Sequence, residues 1–287
     1  MSLADFIEKN LSFSPPHYIT HYVAGQTPIS TSKEVGTALV SYLAIIFGIQ
    51  EFMKTRQPLK LNTLFRLHNV VLTLGSGLLL ACMVEEVVPL IRRSGLFGAA
   101  CSAKSWTPRL EFYYIINYYF KYFELLDTVF LVLKKKPLAF LHVYHHAATA
   151  FLCFTQLNGR TSISWVVISI NLAVHVLMYY YYYATAGGKK LWWKKYLTTM
   201  QITQFVIDLF AVYFGTYSRF AAKGWNLPHM GDCAGTQAAA LFGCGVLTSY
   251  LFLFIKFYID TYKKKPAVER LQDTTNGVAN GTANGHA

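Results

Sequence analysis

The sequence predicts an all-α membrane protein in which seven transmembrane helices form a single bundle. Of its 287 residues, 54% are hydrophobic and only 14% are charged, whereas a soluble domain carries about 25% charged residues. The apolar residues form long runs of roughly 20 residues, the length that crosses a bilayer as a helix. No internal repeat and no second folded domain can be recognised, so one bundle accounts for all of these runs.

The predicted spans follow one another without a long interruption. The first apolar run begins well inside the chain, after Pro15 and Pro16, which is more typical of a retained span than of a cleaved signal peptide. We therefore divide the chain into an N-terminal segment (1–34), a seven-span domain (35–262) and a disordered Gly-, Asn- and Thr-rich tail (263–287). The spans are predicted at 35–53, 68–90, 110–133, 138–157, 164–186, 197–218 and 238–260.

The net charge of +12 does not indicate nucleic-acid binding, because the basic residues lie in short clusters beside apolar runs, where they suit anionic headgroups. Lysine and arginine are more frequent in the loops after spans 1, 3 and 5 and in the tail, for example at Lys134, Lys135 and Lys136. The positive-inside rule then places the C-terminus in the cytosol and the N-terminus outside it. With this topology, Cys101 and Cys233 lie in non-cytosolic loops, where an oxidising compartment permits a disulfide.

Three histidines, His142, His145 and His146, lie at the start of the fourth span, just after the cytosolic lysine loop. On a helix, His142 is an i,i+3 neighbour of His145 and an i,i+4 neighbour of His146, so all three reach roughly one side. Imidazole groups inside a membrane need polar partners and mark a functional site by default.

The third span contains three charged residues in Lys121-x-x-Glu124-x-x-Asp127-Thr128. Each charge buried in a bilayer costs on the order of 3 kcal/mol or more. Lys121 and Glu124 are i,i+3 neighbours and can form an ion pair, whereas Asp127 is rotated away and needs a partner on another helix. Taken alone, this segment is equally compatible with a structural ion pair and with a functional site.

Spans 5 and 6 each carry a polar stripe, because their polar residues recur at helical spacing. Polar faces on spans 3 to 6 predict a shared pocket toward the cytosolic side, with His68 and Asn69 at the start of span 2 as further candidates. The stripe residues are Asn171, His175 and Tyr179 in span 5, and Thr198, Gln201, Gln204 and Asp208 in span 6.

Three functions are compatible with such a pocket. Metal-dependent oxidation would use the four histidines with Glu124 and Asp127 as iron ligands, which is a small set for a di-iron desaturase or hydroxylase. Acyl transfer would use a histidine as base or nucleophile, with amides and hydroxyls bonding an oxyanion. Cys153, a rival nucleophile, lies about 16 Å along the helix from His142, too far for a Cys–His couple. A transporter or sterol-type receptor is the third, non-enzymatic alternative, and it is disfavoured because neither repeated halves nor a pair of Gly/Pro-interrupted spans is visible.

Four motifs, in order along the chain, resemble the signatures of the fatty acid elongase family, the membrane-bound condensing enzymes of the endoplasmic reticulum. The resemblance covers roughly residues 35 to 262, and the stretches 159–165 and 204–208 are most similar to fungal members. The motifs are Lys121-x-x-Glu124-x-x-Asp127-Thr128, His142-x-x-His145-His146, Asn171-x-x-x-His175-x-x-Met178-Tyr179 and Thr198-x-x-Gln201-x-x-Gln204.

This resemblance implies a very-long-chain 3-oxoacyl-CoA synthase. Such enzymes condense a long-chain acyl-CoA with malonyl-CoA, release carbon dioxide and CoA, and yield a 3-oxoacyl-CoA two carbons longer, which is the first step of fatty acid elongation. The implied fold has six of its seven helices in a barrel-like bundle around a closed acyl tunnel. No metal and no cofactor are implied beyond the two CoA substrates. The implied partners are membrane lipid, the reductases and dehydratase of the cycle, and a second copy in a homodimer.

The resemblance also implies roles for individual residues. His145 would be the nucleophile that takes the acyl group as an acyl-imidazole, His175 would lie beside it, and His142 and His146 would orient and tune that chemistry. Some elongases of polyunsaturated substrates carry Gln at the position of His142, so this histidine favours saturated and monounsaturated substrates, with a polyunsaturated fatty acid elongase as the alternative. The substrate-binding residues would be Lys121, Glu124, Asp127, Asn171, Tyr179, Gln201 and Gln204.

Overall fold

A computed structural model of the protein describes residues 3–10, 16–225 and 227–263. All regular structure in these ranges is helical, and they contain no β-strand. The predicted disordered tail lies outside the described residues from 264 onward. The described helices are α1 (Leu3–Asn10), α2 (His17–Thr20), α3 (Ser32–Phe52), α4 (Asn62–Cys101), α5 (Pro108–Glu124), α6 (Leu126–Leu133), α7 (Phe140–Gly159), α8 (Ser164–Ala186), α9 (Lys194–Phe220) and α10 (Gln237–Tyr262).

Several of these helices are suited to a membrane. In the described ranges, five helices are long and apolar enough to cross a membrane: α3, α4, α8, α9 and α10. The spans of α3 and α9 include the short turn that follows each helix. α5 has only 17 residues, and α7 has 20 residues but includes three histidines among them. The chain is therefore a multi-pass membrane protein by length and composition, whereas the number of seven crossings stays a prediction.

The third predicted span is wrong in one respect, because it is not a single helix. α5 ends at Glu124 and α6 begins at Leu126. Between them, the backbone N–H of Leu125 bonds to the carbonyl of Tyr122, three residues back. Hydropathy could not reveal this break, since apolar residues lie on both sides of it. The break puts Asp127 in the first turn of α6, where a carboxylate suits the positive end of the helix dipole.

The long helices pack in a closed order. α4 packs against α8, α8 against α9, α9 against α10, α10 against α7, and α7 against α5, which returns to α4. α3 lies outside this ring of six helices and contacts α6 and α7. The order agrees with a bundle built around a central axis, and the closed acyl tunnel within it stays a prediction.

The ring has two distinct ends. At one, which we call the disulfide end, Cys101 at the end of α4 is bonded to Cys233 in the loop between α9 and α10. The N–H of Ala234 donates to the carbonyl of Cys101 at 2.8 Å, and the N–H of Ser162 donates to the carbonyl of Ala234 at 3.1 Å. At the other, which we call the histidine end, α7 begins just after the lysine loop 134–136. Chemistry at the histidine end is therefore separated from the disulfide by the length of the bundle.

Candidate active site

At the histidine end, charged residues of α5 meet the polar stripe of α8. Lys121 Nζ donates to Glu124 Oε1 at 2.8 Å and to Asn171 Oδ1 at 2.9 Å. Glu124 Oε1 also lies 3.3 Å from His175 Nδ1, and His175 Nε2 lies 3.2 Å from Asn171 Nδ2. The predicted Lys121–Glu124 pair is thus confirmed. We call these four residues the Lys–Glu–His–Asn cluster.

Three of the four residues of the cluster are buried, and Asn171 is partly exposed. Lys121, Glu124 and His175 are 2%, 3% and 5% exposed. A buried charge left without a partner is strongly unfavourable, whereas a hydrogen-bonded pair is tolerated. The ion pair therefore lets a charged lysine and a carboxylate reside beside an imidazole, and it fixes the position of His175 between α5 and α8.

Asp127 has partners on two other helices, as its rotation away from the ion pair predicted. His68 Nε2 of α4 lies 2.9 Å from its Oδ1, and the Tyr179 hydroxyl of α8 donates to its Oδ2 at 3.0 Å. The Tyr179 ring stands edge-on to the His175 ring at 5.3 Å between centroids. His68 lies outside the four motifs. A histidine at the start of an apolar span was the only sequence signal for it.

The three histidines of α7 have different surroundings. The rings of His142 and His146 are 4.3 Å apart, and His146 is 8% exposed. His145 is only partly buried and lies against the rings of Tyr250 and Phe254 at 4.7 and 5.7 Å between centroids. Among the described residues, His142 Nε2 is buried without a hydrogen-bond partner.

The histidines of α7 also differ in their electrostatic neighbours. The charged groups that act on His145 include Glu124 and Lys121, whereas the carboxylate that acts on His142 is Asp127. His145 is thus a partly exposed ring on a helix that packs against α5, the helix of Lys121 and Glu124.

The amides of α9 bond to protein groups. Gln201 Nε2 donates to Met178 Sδ at 3.3 Å, and Gln204 Nε2 donates to Asp208 Oδ2 at 3.2 Å. Asp208 is 0% exposed, and no described residue bonds to its Oδ1. The first contact joins α9 to α8, and Thr198, Gln204 and Asp208 of the predicted stripe are buried.

A largely apolar cavity lies toward the disulfide end. Its non-atom space, including its opening, is ≈ 830 Å³. Helices α5, α7, α8, α9 and α10 contribute side chains to it, with Asn117 and Cys153 among them. Residues 233–236, which we call the floor loop, line its other side. Of the predicted site residues only Cys233 borders this cavity, and its nearest lining residue on α7, Leu152, lies about 10 Å along the helix from His145.

The described residues contain no group of three or more His, Cys, Asp or Glu side chains arranged to hold a metal ion. The carboxylates of the site are instead bonded to Lys121, His68 and Tyr179. Glu124 and Asp127, the carboxylates that a di-iron site would need as ligands, are therefore already bonded to other side chains.

Comparison with known proteins identifies the family. The sequence model described as "ELO: GNS1/SUR4 family" matches residues 27–270. The chain belongs to this family of fatty acid elongases. "Putative fatty acid elongase 1" of Schizosaccharomyces pombe is 52% identical over 276 residues, 96% of this chain and 82% of that protein.

More distant elongases match as well. "Fatty acid elongase A" of Dictyostelium discoideum is 38% identical over 247 residues, 85% of this chain and 88% of that protein. "Very long chain fatty acid elongase 2" of Mus musculus is 33% identical over 257 residues, 86% of this chain and 81% of that protein. The resemblance read from the four motifs, including its fungal character, is confirmed, and this elongase takes part in fatty acid elongation.

Proposed function

We propose that this elongase condenses a long-chain fatty acyl-CoA with malonyl-CoA, releases carbon dioxide and CoA, and yields a 3-oxoacyl-CoA two carbons longer. The observation that carries the proposal is that α7, the helix of His145, packs against α5, which bears Lys121 and Glu124 of the Lys–Glu–His–Asn cluster. The two CoA thioesters suffice as reactants, without a metal or a further cofactor. Saturated and monounsaturated chains are the proposed substrates, in keeping with His142.

His145 is the proposed nucleophile. An imidazole nitrogen attacks the thioester carbonyl, a carbon–nitrogen bond forms, the carbon–sulfur bond breaks, and CoA leaves as a thiolate that takes up a proton. The resulting acyl-imidazole is easily hydrolysed, so it needs a dry site. The rings of Tyr250 and Phe254 beside His145 supply apolar cover. His146 is less suitable, because it is buried behind its two neighbours.

The second half-reaction joins the two acyl groups. Malonyl-CoA loses carbon dioxide, and the electron pair of the broken carbon–carbon bond forms an enolate that attacks the acyl-imidazole carbonyl. The carbon–nitrogen bond breaks, and the departing nitrogen of His145 takes up a proton from water to restore the neutral imidazole. No base has to remove a proton from carbon. We propose that His175 donates to the enolate oxygen from Nε2 as an imidazolium, whose charge the carboxylate of Glu124 stabilises from 3.3 Å beyond Nδ1. The Asn171 amide, which now donates to Nε2, would turn to the substrate. Hydrogen bonds aimed at developing charge are the main source of stabilisation in such sites.

The acyl chain is proposed to run inside the ring from His145 toward the disulfide end. The apolar cavity there supports this, because it would accept the end of a hydrocarbon chain and the floor loop would limit its depth. His142 Nε2 is buried without a hydrogen-bond partner among the described residues, so it could form a hydrogen bond with the thioester. Gln201, Gln204 and the other predicted binding residues would line the passage.

We further propose that the histidine end faces the cytosol and the disulfide end the lumen of the endoplasmic reticulum. Lysines 134–136 beside the histidine helix suit the cytosolic side of a membrane. A disulfide persists in an oxidising compartment, which the lumen provides. CoA esters made in the cytosol would then reach the histidines directly.

The proposal is tested with purified protein in detergent, long-chain acyl-CoA and labelled malonyl-CoA, in the presence of a chelator. We expect labelled 3-oxoacyl-CoA as the product. His145→Ala should abolish it, since the acyl acceptor is lost, whereas His229→Ala, which replaces an exposed loop histidine, should retain wild-type turnover. A wild-type protein that makes no 3-oxoacyl-CoA, or a His145→Ala variant with full turnover, would contradict the proposal.

A further inference from the structure

His68 lies outside the four motifs that carry the family resemblance, yet it contacts a motif residue inside the ring. It lies on α4, 5% exposed, and its Nε2 is 2.9 Å from Asp127 Oδ1. The rings of Phe123 and Phe130 flank it at 4.8 and 5.3 Å between centroids. A carboxylate can only accept hydrogen bonds, so Nε2 is the ring nitrogen that carries the proton toward Asp127.

The contact continues to the catalytic histidine through one more residue. Asp127 Oδ2 accepts a hydrogen bond from the Tyr179 hydroxyl at 3.0 Å, and Tyr179 is 0% exposed. The Tyr179 ring stands at 89° to the His175 ring, 5.3 Å away. The order of contacts is therefore His68, Asp127, Tyr179, His175, across α4, α6 and α8.

This arrangement gives Asp127 a task other than holding substrate. Each of its two oxygens has a protein partner, and the side chain is 7% exposed. A buried carboxylate that loses one hydrogen bond is left with an unsatisfied oxygen and shifts to find another donor. Such a shift would pull the Tyr179 hydroxyl with it and turn the ring against which His175 packs.

We propose that His68 is a positioning residue for the condensation reaction. Its N–H fixes the carboxylate of Asp127, the carboxylate holds the Tyr179 hydroxyl, and the Tyr179 ring keeps His175 in the orientation that the enolate requires. This inference rests on the proposed function. It adds a residue from α4 to a site that the motifs build from α5 to α9.

Gln and Asn carry the same side-chain amide at different distances from the backbone, so His68→Gln and His68→Asn distinguish a positioning role from a packing role. The side-chain amide of His68→Gln reaches about as far as imidazole Nε2 and can still donate to Asp127, whereas that of His68→Asn ends near the position of Nδ1 and cannot. We expect His68→Asn to lower kcat by about tenfold, the effect of one lost hydrogen bond to a charged group, with little change in KM for acyl-CoA. His68→Gln should retain most of the wild-type kcat.

The decisive measurement is a double-mutant cycle with Tyr179→Phe, which removes the hydroxyl that Asp127 holds. If His68 acts through Tyr179, the loss of kcat caused by His68→Asn should shrink to less than about twofold in the Tyr179→Phe background. Ser76→Ala serves as the control, because Ser76 is a buried polar residue of the same helix outside this chain of contacts, and it should leave kcat unchanged in both backgrounds.

Each outcome bears on the inference. Three results would each overturn it in favour of a structural role. The losses of kcat could multiply independently in the double-mutant cycle, or they could be equal for His68→Asn and His68→Gln. The third result is a His68→Asn protein that fails to fold while His68→Gln folds. These results leave the proposed function intact as long as the wild-type protein condenses its two substrates. A wild-type protein without condensation activity would overturn both.

Discussion

Lys121 and Glu124 form an ion pair inside the ring, where each side chain is almost fully buried. Their i,i+3 spacing made this contact predictable, because neighbours on one helix meet whatever the tertiary structure is. The contact between His68 and Asp127 joins residues 59 positions apart in the sequence. No local spacing reveals such a pair, since it depends on how α4 packs beside α6 and α8.

The ion pair leads to a prediction for stability and activity. Lys121→Met leaves Glu124 as an unpaired buried charge and should destabilise the protein by about 3 kcal/mol. The double variant Lys121→Met/Glu124→Gln removes both charges and should recover most of that stability. It should remain inactive, because the carboxylate that orients His175 is gone. Thermal unfolding in detergent and the condensation assay measure the two properties.

The opposite pattern would contradict this interpretation. A Lys121→Met protein as stable as the wild type would show that the pair contributes nothing to the fold. A double variant with wild-type turnover would show that the charge on Glu124 is not needed beside His175.

At the scale of the elements, the sequence located the helices but not their arrangement. All seven predicted spans overlap helices of the structure, because apolar run length is a strong signal. The break at Leu125 was missed, since hydropathy is insensitive to a single turn within an apolar run. The closed order of α4, α8, α9, α10, α7 and α5 depends on contacts between distant helices and has no local signature.

Helix α10 offers a matched pair of glycines for testing the acyl passage. Gly243 faces the cavity, where an added Cβ would lie 3.6 Å from Gln156 Nε2 and 3.7 Å from Val212 Cγ1. Gly245 faces outward, with nothing within 4 Å of an added Cβ. We expect Gly243→Leu to fill part of the cavity and shorten the longest product. Gly245→Leu should leave the product profile unchanged.

Product profiling across acyl-CoA substrates of increasing length measures this effect. The helix-propensity change is the same at both positions, so a difference between the two variants reports on the cavity. Unchanged chain length for Gly243→Leu, or equal shortening by Gly245→Leu, would argue that acyl chains do not enter this cavity.

At the scale of the whole molecule, the loop charges and the cysteines indicate the same orientation. The topology predicted from lysine and arginine placed Cys101 and Cys233 on one side of the membrane, and the structure joins them at the end of the ring opposite the histidines. The positive-inside rule fixed the expected side of each loop but could not show whether the two sulfur atoms approach each other. In the structure, α4 kinks at Gly95, before Cys101, and φ of Gly95 is 68°. A left-handed residue of this kind favours glycine.

This orientation predicts a protease pattern in sealed endoplasmic reticulum vesicles. Protease added outside should remove a C-terminal epitope, because the tail is proposed to be cytosolic. The loop around Cys233 should resist cleavage until detergent opens the vesicles. An epitope that is protected in sealed vesicles would reverse the proposed orientation and would separate the histidines from cytosolic CoA esters.

The central claim is that a histidine carries the acyl group, and mass spectrometry of the protein after incubation with acyl-CoA alone tests it most directly. We expect one acyl group on His145, with no adduct in His145→Ala and release of the adduct as 3-oxoacyl-CoA when malonyl-CoA is added. An acyl group on Cys153, or turnover without any covalent intermediate in the wild-type protein, would contradict the account.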